Sequence, residues 1–261
     1  MNRTGNLILA LLLTASTGAN SQAEISTLTG TCSLTVSSNA NEVEFKMQRG
    51  GCVGDEDCHS NQTDMPLETF SGFTLADLQR EGAHVDAVIK GEAGQIICSG
   101  VVHNAKLSGD YRFVPDAAFV ARMQQMGFGD LDTEKLQAYT LFKIDTLWIR
   151  SLQNAGVSGI DSGNLIALRI FHVDGGYINS LKSLGYPTPD AGKLISLRVQ
   201  RVDPEEVKQF RAMGYQPTLD ELVQMRIFKV TPDFIRSMQA RGFNNLTIAK
   251  LVQIRIFNLA E

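Results

Sequence analysis

The chain has 261 residues, 43% of them hydrophobic and 20% charged, with a net charge of −4. That balance belongs to a folded globular protein and excludes a low-complexity or disordered one. A weakly acidic total without a Lys/Arg block also excludes a general pull toward nucleic acid.

Taken in order, the chain begins with a leader pattern. Arg3 is followed by the apolar run Leu7–Leu13 and then by small and polar residues. The run is too short to span a bilayer. Ser21-Gln22-Ala23 fits the small-x-small cleavage rule, which predicts a signal peptide over residues 1–23. No later apolar stretch is long enough for a membrane helix. The mature protein is therefore expected in the periplasm or outside the cell, with no membrane insertion after cleavage.

Residues 24–113 read as a β-rich domain. Cys32, Leu34 and Val36 alternate with polar residues, and so do Val43, Phe45 and Met47. Val85, Ala87 and Ile89 repeat the pattern. Gln95–Val102 and Asp110–Val114 supply two more strands. Turns are expected at Gly91–Gly94 and at Lys106–Gly109. Arg49–Gly72 reads as a long insertion, and Thr74–Glu81 as a short helix capped by Thr74. The domain holds 6 Lys and Arg against 13 Asp and Glu, a balance of −7.

All four cysteines, Cys32, Cys52, Cys58 and Cys98, precede residue 114. An even count in an exported chain suggests two disulfides, for which three pairings exist. Cys52–Cys58 and Cys32–Cys98 are the preferred set. The segment from Cys52 to His59 offers Asp55, Glu56, Asp57 and His59, with Asp64 nearby. It lacks calcium-loop spacing, and oxidised cysteines cannot hold zinc, so a solvated acidic loop is expected rather than a metal site.

From residue 114 the pattern changes to a repeat of about 29 residues. Gly127, Gly156, Gly185, Gly214 and Gly242 keep one beat, and Arg169, Arg198, Arg226 and Arg255 keep another. Asp145, Asp174, Asp203 and Thr231 stand where helix caps belong, with Pro204 and Pro232 one residue on. Each glycine ends the first helix of its unit. Second helices are expected to begin near Asp161, Asp190, Asp220 and Thr247. Five helix-loop-helix units follow, at about 114–142, 143–171, 172–200, 201–228 and 229–261. The fold class is thus α+β: an antiparallel β domain and then an α-helical array or solenoid.

The arginine series has two readings. Each Arg lies in the last turn of a helix, where a cation favours the dipole. Each of the first two is also five residues before a cap, which predicts the ion pairs Arg169–Asp174 and Arg198–Asp203. Alternatively Arg169, Arg198, Arg226 and Arg255 line a partner-binding face. The aromatic positions Phe119, Trp148, Tyr177 and Phe234 read as packing.

The stretch VDAVIKGEAGQIICSGVVHNAKLSGDYRFVPDAAFVARMQQMGF, from Val85 to Phe128, resembles a known module. Similar β segments lead into similar repeats in the exported tails of bacterial antirepressor-type zinc metallopeptidases, the β-lactam-sensor class, and in free-standing exported relatives. The resemblance covers nearly all of the mature chain and implies its architecture. It implies no peptidase residue here, because no His-Glu-x-x-His occurs.

No nucleophile elbow, phosphate loop or dinucleotide fingerprint occurs either. The four histidines, His59, His84, His103 and His172, lack metal spacing. The expected function is a non-enzymatic, cofactor-free interaction module with an envelope protein as partner. The alternative is a small-ligand sensor with a pocket where the β domain meets the repeats.

Overall fold

The computed structural model describes residues 25–39, 41–50 and 60–257, and the side chains there except at 60 and 61. The leader, Cys52, Cys58 and the acidic residues between them lie outside the described residues, as does His59. A mixed architecture emerges: a seven-stranded antiparallel sheet followed, among the described residues, by ten helices. No helix among the described residues is long and apolar enough to cross a membrane.

The strands are β1 (Leu28–Val36), β2 (Glu42–Arg49), β3 (Ser60–Pro66), β4 (Phe70–Ser71), β5 (His84–Gly91), β6 (Gly94–His103) and β7 (Lys106–Pro115). Their order in the sheet is β3-β2-β1-β7-β6-β5-β4. Alternation decides which face is buried. Cys32, Leu34, Val43, Phe45, Met47, Val85, Ala87, Ile89, Ile96, Cys98, Leu107 and Phe113 all point inward. Each of the larger ones contributes roughly 1.5–3 kcal/mol on burial. Val36, expected inside, is exposed, because β1 outruns its pairing with β7, which stops at Leu34.

The sheet is curled. Four strands separate β2 from β4 in the order, yet the Phe45 and Phe70 rings meet edge to face at 5.4 Å. A sharp bend lies at β7. Cys32 on β1 and Cys98 on β6 flank β7, and flat strands two apart would stand about 9.5 Å from each other. Their Cα atoms are 6.0 Å apart and joined by a disulfide. Gly109 permits this approach. It pairs with Cys32 on one side and Gly100 on the other. A Cβ there would sit against the Ser99 carbonyl oxygen and 2.5 Å from Gly100 Cα.

Three sequence expectations fail in this half. Lys106–Gly109 is strand, not turn. The reversal falls at Asn104–Ala105, both with positive φ (51° and 57°), and Ala there carries no turn signal. Arg49–Gly72 is not wholly an insertion, since it holds β3 and β4. β3 escaped notice because Met65 is its one buried residue among 62–66, so apolar alternation is missing. Thr74–Glu81 forms only a 3-10 turn, Asp77–Gln79, although Thr74 does engage the Asp77 carboxylate through its amide and hydroxyl.

The helices are α1 (Ala117–Gln125), α2 (Thr133–Leu141), α3 (Thr146–Asn154), α4 (Asn164–Ile170), α5 (Gly175–Ser183), α6 (Ala191–Val199), α7 (Pro204–Ala212), α8 (Leu219–Ile227), α9 (Pro232–Ala240) and α10 (Ile248–Ile256). Nine begin on an Asp or Thr whose side chain accepts from a backbone N–H in the first turn. The cap of α8 is Thr218, in a capping box with Glu221, rather than Asp220. All five repeat glycines have φ between 76° and 94°, the left-handed conformation that closes a helix. Such helices are too short to stand alone, so packing holds them. α4, α6, α8 and α10 pack in succession, and so do α5, α7 and α9. Trp148 Nε1 donates to Val173 O at 3.1 Å and Tyr177 Oη to Val202 O at 3.2 Å, each bridging about 25 residues of sequence.

α2 is the contact between the two halves. It packs on β5, β6 and β7, and Tyr139 meets Phe119 edge to face. The β5–β6 turn is pinned just beyond it, at the junction of α2 and α3. The Lys143 ammonium donates to Lys90 O, and Glu92 accepts from Thr146 N and Oγ1 at 3.1 and 2.9 Å.

Candidate functional site

Docking the sheet on α2 leaves a broad cleft of about 1410 Å³ beside it. Its sheet side is Leu28, Met47 and Tyr111 of the inner face, with Gln62, Thr63, Asp64, Met65 and Pro66 along the outermost described strand, β3. Its helix side is Glu134, Gln137, Ala138 and Leu141 of α2, then Phe142 and Lys143, then Arg169, Ile170 and His172. Arg49 and Glu134 form an ion pair across one end.

Charge is unevenly placed around the cleft. Glu42 and Asp64 stand on the β2–β3 rim, and Lys143, Arg169 and His172 on the helix wall. Burial pushes the Lys143 ammonium below its ordinary pKa. The Gln137 side-chain nitrogen is buried and has no hydrogen-bond partner. A buried amide donor left unmet costs about 1–3 kcal/mol, so this one marks a place where an acceptor would be welcome.

From the cleft the surface continues along the C-terminal ends of the even-numbered helices, and the arginine series shows how those ends are joined. Arg169 Nε donates to Phe142 O at 3.1 Å, Arg198 Nε to Phe171 O at 2.7 Å, and Arg226 Nε to Gln200 O at 3.1 Å. Each acceptor is the C-cap carbonyl of the preceding even helix. The guanidiniums of Arg169, Arg198 and Arg255 also lie over the rings of Trp148, Tyr177 and Phe234, at 5.2, 4.8 and 3.9 Å. At the fourth place in that aromatic series stands Glu206, and Arg226 pairs with its carboxylate at 3.1 Å. Burial pushes Glu206 up, against the pull of Arg226.

The expected ion pairs Arg169–Asp174 and Arg198–Asp203 are therefore replaced. Asp174 and Asp203 are occupied as caps, accepting from Tyr177 N and Glu205 N. Arg169 and Arg198 turn instead to a C-cap carbonyl of the preceding even helix and to a ring. All four are half-buried.

Two further columns run along this edge, and neither was singled out in the sequence. Ile170, Val199, Ile227 and Ile256 end their helices with 43%, 43%, 49% and 48% of their surface exposed. Lys143, His172, Arg201 and Lys229 stand two residues past the ends of α2, α4, α6 and α8, each with φ of 53°. A side chain in that conformation costs about 1–2 kcal/mol, and glycine is the usual occupant. The 29-residue beat of positions 143, 172 and 201 was the available signal. The edge also carries the cap carboxylates of Asp145, Asp174 and Asp203, so it is mixed in charge rather than uniformly basic.

Of the predicted cysteine pairs, Cys32–Cys98 is formed inside the curl of the sheet. Among the described residues no group of three His, Cys, Asp or Glu is placed to hold a metal ion. No family model, curated protein or solved structure matches this chain.

Proposed function

We propose that the chain is an exported, non-enzymatic interaction module of the cell envelope, of the antirepressor-peptidase tail type. Its helices form five stacked helix-loop-helix units, and their shared C-terminal edge receives a partner protein. The observation that carries this reading is the column Ile170, Val199, Ile227 and Ile256, 43–49% exposed at one repeat position. Scattered apolar residues on a surface are ordinary, but an aligned series beside a cleft favours protein contact. The buried faces of the same helices supply Leu165, Leu168, Leu194, Leu197, Leu222, Met225 and Leu251 to the core, so the stack does not require the outer column.

Photocrosslinking in intact cells tests the reading. A photoreactive residue at Val199 should capture one envelope protein, and the same residue at exposed Asn179 should not. No adduct at Val199, or equal adducts from both sites, would overturn it. A small-ligand sensor with its pocket at the junction is the second reading. The cleft favours it by position, but about 1410 Å³ exceeds the roughly 300–1,000 Å³ usual for such ligands.

A further inference from the structure

We infer that the junction cleft binds an extended, carboxylate-bearing peptide segment that adds to the outer edge of β3. This deepens the interaction reading above and rests on it.

Three observations converge. First, among the described residues β3 is the last strand of the sheet and pairs only with β2 in the strand order. Five consecutive residues of it, Gln62 to Pro66, line the cleft. Successive side chains point to opposite faces of a strand, so an unbroken run lines a cavity only where the cavity meets the strand's edge. An open edge offers backbone donors and acceptors to an incoming strand. Second, Gln137 lines the same space from α2, and its amide nitrogen is buried with no acceptor. Turning that side chain into the cleft would give the nitrogen a peptide carbonyl as acceptor. Third, the far wall is basic. Arg169 spends its Nε on Phe142 O, and His172 is exposed at the rim. A carboxylate there meets two donors, whereas a cation would meet like charge.

The acidic groups at the opposite rim, Glu42 and Asp64, set polarity. A segment paired with β3 is favoured with its acidic residues past the end of that pairing, turned toward the helix wall. The Arg49–Glu134 pair is internally neutral and closes one end. Leu28, Met47, Met65 and Leu141 provide the apolar ground between. Methionine adapts to varied side chains, so sequence preference in the middle should be loose.

The test uses the mature chain and two labelled peptides, acetyl-Val-Thr-Val-Thr-Asp-Asp-amide and the same peptide ending Lys-Lys. Fluorescence anisotropy measures affinity, and amide hydrogen exchange reports on β3. The acidic peptide should bind at least about tenfold more tightly than the basic one. His172→Asp should erase most of that preference, and Gln137→Leu should weaken both peptides. Exchange at residues 60–66 should slow on binding. Equal affinities, no binding of either peptide up to about 1 mM, or binding without β3 protection would each overturn the inference. Crosslinking at Val199 would survive all three outcomes, so the two readings fail separately.

Discussion

Replacing Arg198 separates a wedge between helices from a surface charge. Its Nε donates to Phe171 O at 2.7 Å, and its guanidinium lies 4.8 Å from the Tyr177 ring centre. A hydrogen bond from a charged donor contributes about 1.5–3 kcal/mol, and a cation over a ring about 0.5–2 kcal/mol when partly desolvated. Arg198→Ala should therefore lose roughly 2–4 kcal/mol after the exposed share is discounted, or about 5–15 °C in Tm. A dipole effect or an exposed ion pair would be worth about 1 kcal/mol or less. Arg198→Lys sharpens the contrast. Lysine keeps the charge but has no Nε–H fork to reach the carbonyl while covering the ring. It should lose most of what alanine loses. The assay is urea and thermal unfolding followed by Trp148, the single tryptophan. Trp148 contacts Arg169 rather than Arg198, so its signal reports global unfolding without a local artefact. If lysine restores wild-type stability, or alanine costs under about 0.5 kcal/mol, the wedge argument is wrong.

Three other outcomes are expected. Gly109→Ala should destabilise by more than about 3 kcal/mol, because the new Cβ meets backbone of β6 and nothing flexible can give. Gly127→Ala, with nothing within 4 Å, should cost only its left-handed φ, about 1 kcal/mol, and denaturation midpoints compare the two. Replacing both Cys32 and Cys98 by Ala opens a loop of sequence separation 66 and should cost about 4 kcal/mol in denaturant unfolding. Alkali should weaken the fold in a defined window. Burial pushes the Tyr177 phenol from 10.0 up to about 12, so the folded state prefers the neutral form. Its contribution is fully present below pH about 10 and is lost as pH rises toward about 12. Stability measured from pH 9 to 12 should fall less steeply in Tyr177→Phe.

The sequence alone determined what short-range chemistry specifies. Asp174 and Thr231 cap their helices, and Gly156 and Gly185 end theirs with positive φ, because those bonds close within a few residues. The inward set of β2 and β5, and of β1 as far as Leu34, was legible for the same reason, since a period of two is local. β3 was not legible. As an edge strand opening on a cleft, it buries almost nothing on either face, and the pattern that betrays a strand is the pattern of burial. The arginine beat was visible in the sequence, but its acceptors were not. Arg169 reaches Phe142 across 27 positions, and only the stacking of helices brings that carbonyl nearer than the cap five residues away. The cleft is still further from the sequence. Leu28, Met65, Gln137 and His172 share no spacing, and they meet because a sheet bent sharply at Gly109 is laid against one short helix.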